Sequence, residues 1–428
     1  MCLTIPGKII RINDKIATIK RFDGEKEVNI ITVPSAKVGD WLLATVGLAV
    51  KKIDEKDAKE IIDLLESRKI IKEDELSEKF KNTIIASKGR TLDKEEVKYL
   101  LGLNNPKEAE ALFIEADIVR KQNLKDFICL HGIIEFSNYC QNNCTYCGVR
   151  CENKKLTRFR MPVDKIIKTA DDAVNKKGYK MLVLQSGMDS GFTDDELERV
   201  VKGIKEKCRV FIFLSIGERT TKTYERLKKA GADGVLFRFE TTNPDLYKRH
   251  HLSGFKKGDM QNRFKLLEEM KNMKYYIATG PLIGLPGQTV DDLASDIIFM
   301  RDFKVNMVSM GPFIPSNETP LKNEKKGNVE FALKMIAVSR LVIPKSRIVV
   351  ASSLEAIDKE GRKMGLQSGG NSIMFNLTPP QYRENYKIYP GKKSLPEESW
   401  EKYALFSGEE DSYQMIEDEI RNSLSIKN

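Results

Sequence analysis

The chain has 428 residues, 41% of them hydrophobic and 31% charged, with a formal net charge of +10. That leaves room for one large domain and one or two small ones with ordinary globular cores. No apolar run is long enough to span a bilayer and no signal-peptide pattern opens the chain, so a cytoplasmic protein without a membrane partner is expected. The lysines alternate with Glu and Asp, as in Lys205-Glu206-Lys207, which is the pattern of solvated helix faces and argues against a nucleic-acid surface.

Short alternating stretches come first: Lys8 to Ile12, Ile16 to Lys20, Glu27 to Ile31 and Trp41 to Val46, punctuated by Asp23-Gly24 and Gly39-Asp40. They predict a small β-barrel. A helix is expected from Glu55 to Arg68, with Ala58, Ile61, Ile62, Leu64 and Leu65 on its apolar side. The expected divisions are a β-barrel with its helix over residues 1–70, a linker helix over 71–88, a large domain over 89–393 and a helical tail over 394–428. Helices starting near Thr91 and running from Ala109 to Arg120 offer no chemistry of their own.

Eight apolar runs follow: His131–Ser137, Met181–Ser186, Val210–Ser215, Gly234–Glu240, Tyr275–Leu282, Met307–Phe313, Arg347–Ser352 and Ser372–Leu377. Amphipathic segments such as Asp164 to Val174 separate most of them, so the expected fold is a (βα)8 TIM barrel, of class α/β. Active sites of such barrels form at the C-terminal strand ends. Polar residues gather there: Gln185-Ser186-Gly187, Ser215, Gly217-Glu218, Arg238, Glu240, Ser352-Ser353 and Asn376. Arg238 and Glu240, two apart, share a face, and their inward placement would call for a ligand's carboxylate or ribose hydroxyls. Three histidines are too few for a His-rich metal site, and none is assigned a role.

Three of the seven cysteines lie in the stretch Cys140-Gln-Asn-Asn-Cys144-Thr-Tyr-Cys147, just after the first run. Thiolates held that closely by a loop can ligate three irons of a cubic iron–sulfur cluster and leave the fourth iron open. A zinc site would normally add a second, distant Cys pair, and none is present. Cys151 is either a free cysteine, the preferred reading, or a cap on the fourth iron.

Residues 1–70 resemble the HypC family of hydrogenase maturation chaperones, in Met1-Cys2-Leu-Thr-Ile-Pro-Gly, Val38-Gly-Asp-Trp-Leu-Leu and Val46-Gly-Leu-Ala. The resemblance implies that Cys2 ligates an iron carrying CO and cyanide; Thr45 stands where that family usually has histidine. The C-x3-C-x2-C loop at the end of a first barrel strand resembles the radical S-adenosylmethionine (SAM) superfamily. Within it, residues 89–393 resemble the HydE maturases, whose relatives include biotin synthase and methylornithine synthase. The shared phrases are Val183-Leu-Gln-Ser-Gly187, Arg238-Phe-Glu-Thr-Thr-Asn-Pro244, Gly284-Leu-Pro-Gly-Gln-Thr289, Gly311-Pro-Phe-Ile-Pro315 and Tyr386-x-x-Tyr-Pro-Gly391.

The resemblance implies a 4Fe–4S cluster on Cys140, Cys144 and Cys147, and SAM held by Tyr146, Gln185, Ser186, Ser215, Glu240 and Arg263. It places Arg238, Ser352, Ser353, Tyr386 and Tyr389 on the substrate side. The implied activity is generation of a 5′-deoxyadenosyl radical that acts on a cysteine-bound iron carbonyl/cyanide complex or a related small molecule. Ferredoxin or flavodoxin would supply the electron, and other maturation proteins are expected partners. A methylornithine-synthase-like mutase and a non-catalytic iron-fragment carrier are the alternatives. Met188 replaces a Glu usual after Gln-Ser-Gly, and Gly234 and Phe239 stand where larger polar residues are expected near the substrate.

Overall fold

The computed structural model describes residues 5–21, 24–45, 48–59, 75–124, 128–253 and 256–392. The chain divides into two compact units, Met1–Glu75 and Leu76–Asn428.

In the first unit, strands β1 (Ile5–Asn13), β2 (Ile16–Arg21), β3 (Gly24–Asn29), β4 (Trp41–Thr45) and β5 (Leu48–Ile53) close a barrel in the order β1-β2-β3-β5-β4. Its interior is a cluster of small and branched side chains, Ile9, Ala17, Ile19, Val28, Leu42, Ala44 and Ala49 among them. The expected third strand is shifted, since Gly24–Asn29 is what pairs with β2 through Ile16↔Asn29 to Arg21↔Gly24. β5 was not expected. The exposed Lys51-Lys52 interrupts its apolar pattern, but antiparallel pairing with β4 makes it a strand. Residues 55–59 begin the expected helix, and the rest of it, like Cys2, lies outside the described residues.

The second unit opens with helices Glu78–Gly89, Lys94–Leu101 and Pro106–Leu124. Ser77 caps the first, and a reciprocal Asp93–Glu96 capping box starts the second. The barrel strands follow: β6 (Cys129–Ser137), β7 (Met181–Ser186), β8 (Phe211–Ser215), β9 (Gly234–Leu236), β12 (Tyr276–Thr279), β14 (Met307–Pro312), β15 (Arg347–Val350) and β16 (Ser372–Asn376). Each pairs in parallel with its neighbour, and β12–β14 and β16–β6 pairings close the ring, so the eight expected strands form a closed parallel barrel. β10 (Leu252–Ser253) and β11 (Lys256–Lys257) form a separate hairpin, and the short β13 (Leu282–Ile283) pairs with β14.

The strand period of two sorts the side chains. On β7, Met181 and Val183 join Phe211, Phe213 and Tyr276 in the plug that fills the barrel, while Leu182 and Leu184 pack outward against the helices. Continuing the inward set by one step brings Gln185 to the top of β7 beside Ser215 of β8, its register partner. Gly234 is explained by the same plug: a Cβ there would meet the Phe213 ring at 2.7 Å and Tyr276 O at 2.9 Å. Phe239 packs on Phe264 and Phe299 at 5.9 and 5.0 Å between ring centres. Neither residue faces the site, so the expectation that they reshape it is corrected. No helix among the described residues is long and apolar enough to cross a membrane.

Candidate active site

The chain leaving β6 is clamped before it reaches the cysteines. Ser137 Oγ donates to Asp189 at 2.6 Å, and Arg160 pairs with the same carboxylate at 2.7 Å. Asp189 is therefore committed to holding the strand end, and Met188, which replaces the usual Glu, faces the cavity. Asn138 donates to the carbonyls of Thr157 and Asn385 at 2.8 and 2.7 Å. Arg158 donates to the carbonyls of Val149 and Arg150 at 2.8 and 2.6 Å, which places a guanidinium under the cysteine loop.

Gly148 and Gly187 close the clamp. Gly148 N donates to Ile388 O at 2.7 Å, and a Cβ on Gly148 would sit 2.1 Å from Lys387 O. Gly187 lies equally close to Tyr139. On the far side the loop is laced to residues 250–253: Asn143 N donates to Leu252 O at 2.8 Å and Thr145 N to His250 O at 2.9 Å.

Cys140, Cys144 and Cys147 line a cavity of about 260 Å³ at the C-terminal end of the barrel. Tyr146, Gln185, Ser186, Ser215, Arg238, Glu240, Arg263, Ser353, Tyr386 and Tyr389 line it too. Ser352 is not in the lining; its hydroxyl lies 2.7 Å from Tyr389 Oη. Cys151 is not in it either. It lines a recess of about 280 Å³ on the other side of Cys140, with Lys154 and Arg158.

Burial pushes the Cys140 thiol up, and burial with repulsion from its neighbours raises Cys144 well above the ordinary range and Cys147 to about 12. Three thiolates this close oppose one another's ionisation unless a cationic centre is bound among them. Among the described residues no set of three His, Cys, Asp or Glu side chains can hold a single metal ion. The donor set, three thiols from a single loop, fits a multi-iron cluster, whose ligands bind separate irons, better than one zinc.

Glu240 takes a left-handed backbone conformation, with φ 70°, rare for a residue with a side chain. The turn after it is held by Asp296, whose carboxylate accepts from Thr242 N at 2.7 Å and Thr242 Oγ1 at 2.6 Å. Asp292 accepts from Asn243 Nδ2 at 2.8 Å. This turn aims the Glu240 carboxylate into the cavity, 3.3 Å from Arg238 Nη2. The oxygen in that ion pair, Oε2, is buried and makes no hydrogen bond.

Arg263 is fixed from three sides: its Nε donates to Arg238 O at 2.7 Å, its Nη1 pairs with Glu218, and its plane lies 4.2 Å from the centre of the Phe237 ring. Tyr146, expected to help hold SAM, lines the cavity with its hydroxyl 2.9 Å from His251 Nδ1. His251 lines the cavity and had been assigned nothing. Its contacts in the cysteine loop are more than 100 residues away in sequence, with separations of 105 and 107, so only a signal of tertiary pairing could have found it.

Comparison with known proteins agrees with this geometry. The HupF/HypC family matches residues 1–65, the radical SAM superfamily residues 134–300, and the biotin and thiamin synthesis associated domain residues 309–399. The FeFe-hydrogenase maturase subunit HydE of Thermotoga maritima is 42% identical over 303 residues, 71% of this chain and 85% of that protein. A 3-methylornithine synthase of Methanosarcina acetivorans is 29% identical over 296 residues, covering 68% of this chain and 81% of its own. The crystal structure of methylornithine synthase shares the fold with a TM-score of 0.69 at 24% identity, over 79% of this chain and 99% of that one. The radical SAM family implies a 4Fe–4S cluster and SAM, and the cysteine set and its cavity fit both. The chain belongs to the radical SAM enzymes, as a HydE-like maturase with a HypC-like N-terminal domain.

Proposed function

We propose that Cys140, Cys144 and Cys147 hold the cluster and that the cavity binds SAM beside a cysteine-bound iron complex carrying CO and cyanide, or a related small molecule. The observation that carries this is the convergence on one cavity of three thiols from a single loop with Gln185, Glu240 and Arg263 from separate segments. When bound, the cluster supplies the electron that cleaves the SAM sulfonium to methionine and a 5′-deoxyadenosyl radical.

The protein's own part is to bind, orient and exclude water. Glu240 offers a buried carboxylate oxygen that has the Arg238 ion pair but no hydrogen bond, which leaves it able to accept from an ammonium or ribose hydroxyl. Arg263 sets a fixed positive charge against a ligand carboxylate. Gln185, Ser186, Ser215 and Tyr146 complete that side, and Leu236, Phe237, Leu282 and Phe313 keep it dry. Arg238, Ser353, Tyr386 and Tyr389, with Ser352 behind Tyr389, form the substrate side. Burial raises both tyrosines, so they face the substrate as neutral phenols.

The HypC-like segment is the second metal-handling module in this reading, and Cys2 its ligand for the iron fragment. Ferredoxin or flavodoxin is the proposed reductant. The second reading, a mutase acting on an amino acid, draws on the 29% identity to 3-methylornithine synthase.

The test is anaerobic reconstitution with iron and sulfide, then SAM and dithionite. Wild type should form 5′-deoxyadenosine and Cys144→Ala should not; equal yields would sink the assignment. Addition of lysine separates the two readings, since a new amino-acid product would favour the mutase.

A further inference from the structure

His251 is 6% exposed, and its Nδ1 lies 3.5 Å from Cys144 Sγ as well as 2.9 Å from Tyr146 Oη. The opposite nitrogen decides where the ring proton sits. Arg263 Nη1 lies 3.1 Å from Nε2, and a guanidinium can only donate. Nε2 is therefore the acceptor and carries no proton, which puts the ring N–H on Nδ1, facing the sulfur and the phenol oxygen.

The ring is held in that orientation. It stacks on Tyr247 with ring centres 4.8 Å apart and planes inclined by 25°. Its backbone N–H donates to Tyr247 O at 2.8 Å, and its carbonyl accepts from Gly258 N at 2.9 Å. The neighbouring His250 has the opposite arrangement: Nε2 donates to Pro286 O at 3.1 Å, so Nδ1 accepts from Thr145 Oγ1 at 2.9 Å. His250 thus anchors Thr145 of the loop, and of the two histidines it is His251 that offers an N–H to a cysteine sulfur.

We infer that His251 is a positioning residue whose Nδ1–H donates to the Cys144 thiolate, sets the reduction potential of the centre that Cys144 helps to hold, and ties that sulfur through Arg263 to the wall of the cavity. This rests on the reading of Cys144 as a cluster ligand. A donor at a ligand sulfur stabilises the reduced state, which carries one more negative charge, so losing it makes the centre harder to reduce. Arg263 makes the link two-ended: a ligand that draws the guanidinium into the cavity alters the hydrogen bond that fixes the His251 tautomer.

The test compares His251→Phe, which keeps a ring to stack on Tyr247 but removes the N–H, with His251→Gln, which restores an amide N–H. Full-length proteins are reconstituted anaerobically; iron and sulfide are quantified and the midpoint is measured by EPR-monitored titration without SAM. At the wild-type midpoint the reduced-to-oxidised ratio should fall about tenfold in His251→Phe, equivalent to about 59 mV for one electron. It should fall less than threefold in His251→Gln. An unshifted midpoint in His251→Phe, or the same shift in both variants, would overturn the proposal. So would loss of the cluster from His251→Phe with an unshifted His251→Gln, which would mark a purely packing role. Full cluster content in Cys144→Ala would instead overturn the underlying ligand assignment, whatever the two histidine variants do.

Discussion

Gly187→Ala should disable the site without replacing any side chain proposed to hold the cluster or SAM. A Cβ at Gly187 would lie 2.2 Å from Tyr139 O and 2.8 Å from Cys140 Cβ. Both fall short of ordinary contact, the first by about an ångström. Gly187 cannot retreat easily, because its N–H donates to Ser137 O at 3.0 Å and the next residue, Met188, accepts from Gln141 N at 2.8 Å. The cysteine loop must move instead, and its far end is pinned by Gly148 N to Ile388 O at 2.7 Å. The displacement therefore concentrates at Tyr139 and Cys140.

Overpacking of this kind costs about 1–3 kcal/mol, and a misplacement of about 1 Å in a reacting constellation lowers rates by about 100-fold. Iron content per chain and the rate of 5′-deoxyadenosine formation are the readouts. Gly187→Ala should lower the first and cut the second about 100-fold. Gly89→Ala, where nothing lies within 4 Å of the added carbon, should leave both unchanged. If Gly187→Ala keeps both within twofold of wild type, the loop is not held as argued.

Cys151→Ser should retain its iron and its rate within twofold, because Cys151 lies outside the cavity; loss of the cluster would reinstate it as a fourth ligand. Arg263→Lys replaces a fork that donates to Arg238 O, Glu218 and His251 with a single ammonium, so SAM affinity by equilibrium dialysis should fall about 10- to 100-fold, the value of one or two charge-assisted bonds. Burial raises Asp296 to about 7 from an ordinary 3.8. Its contribution to stability is thus full below about pH 4 and is lost as pH rises toward 7, by at most about 1.4 kcal/mol per pH unit. Relative to Asp296→Asn, wild type should lose urea resistance between pH 5 and pH 7.5, and parallel profiles would refute this.

The barrel was legible because each of its strands is a short apolar run set off by polar helix faces, and the alternating period carried the reading as far as Gln185 and Ser215 at the strand tops. The cysteine loop was legible because its three thiols are neighbours in sequence. Gly234 and Phe239 were misread for a physical reason: a resemblance gives the residue expected at a position but not what already packs against it. The Phe213 ring and the Tyr276 carbonyl occupy the space beside Gly234, and the Phe264 and Phe299 rings receive Phe239.

Asp296 was hidden in the opposite way. It lies on a helix whose first turn carries Asp291 and Asp292, so it reads as one more solvated acid, yet it is fully buried because Thr242 brings two donors to it. His251 had no local signal at all. Its backbone is set by Tyr247 and Gly258, but its chemistry is set by Cys144 and Tyr146 on the cysteine loop and by Arg263 on the helix Met260–Asn272. Sequence spacing can therefore report a metal loop, whose ligands share one segment. The groups that tune such a loop come from elsewhere in the barrel, and they become visible only when donors and acceptors can be paired in three dimensions.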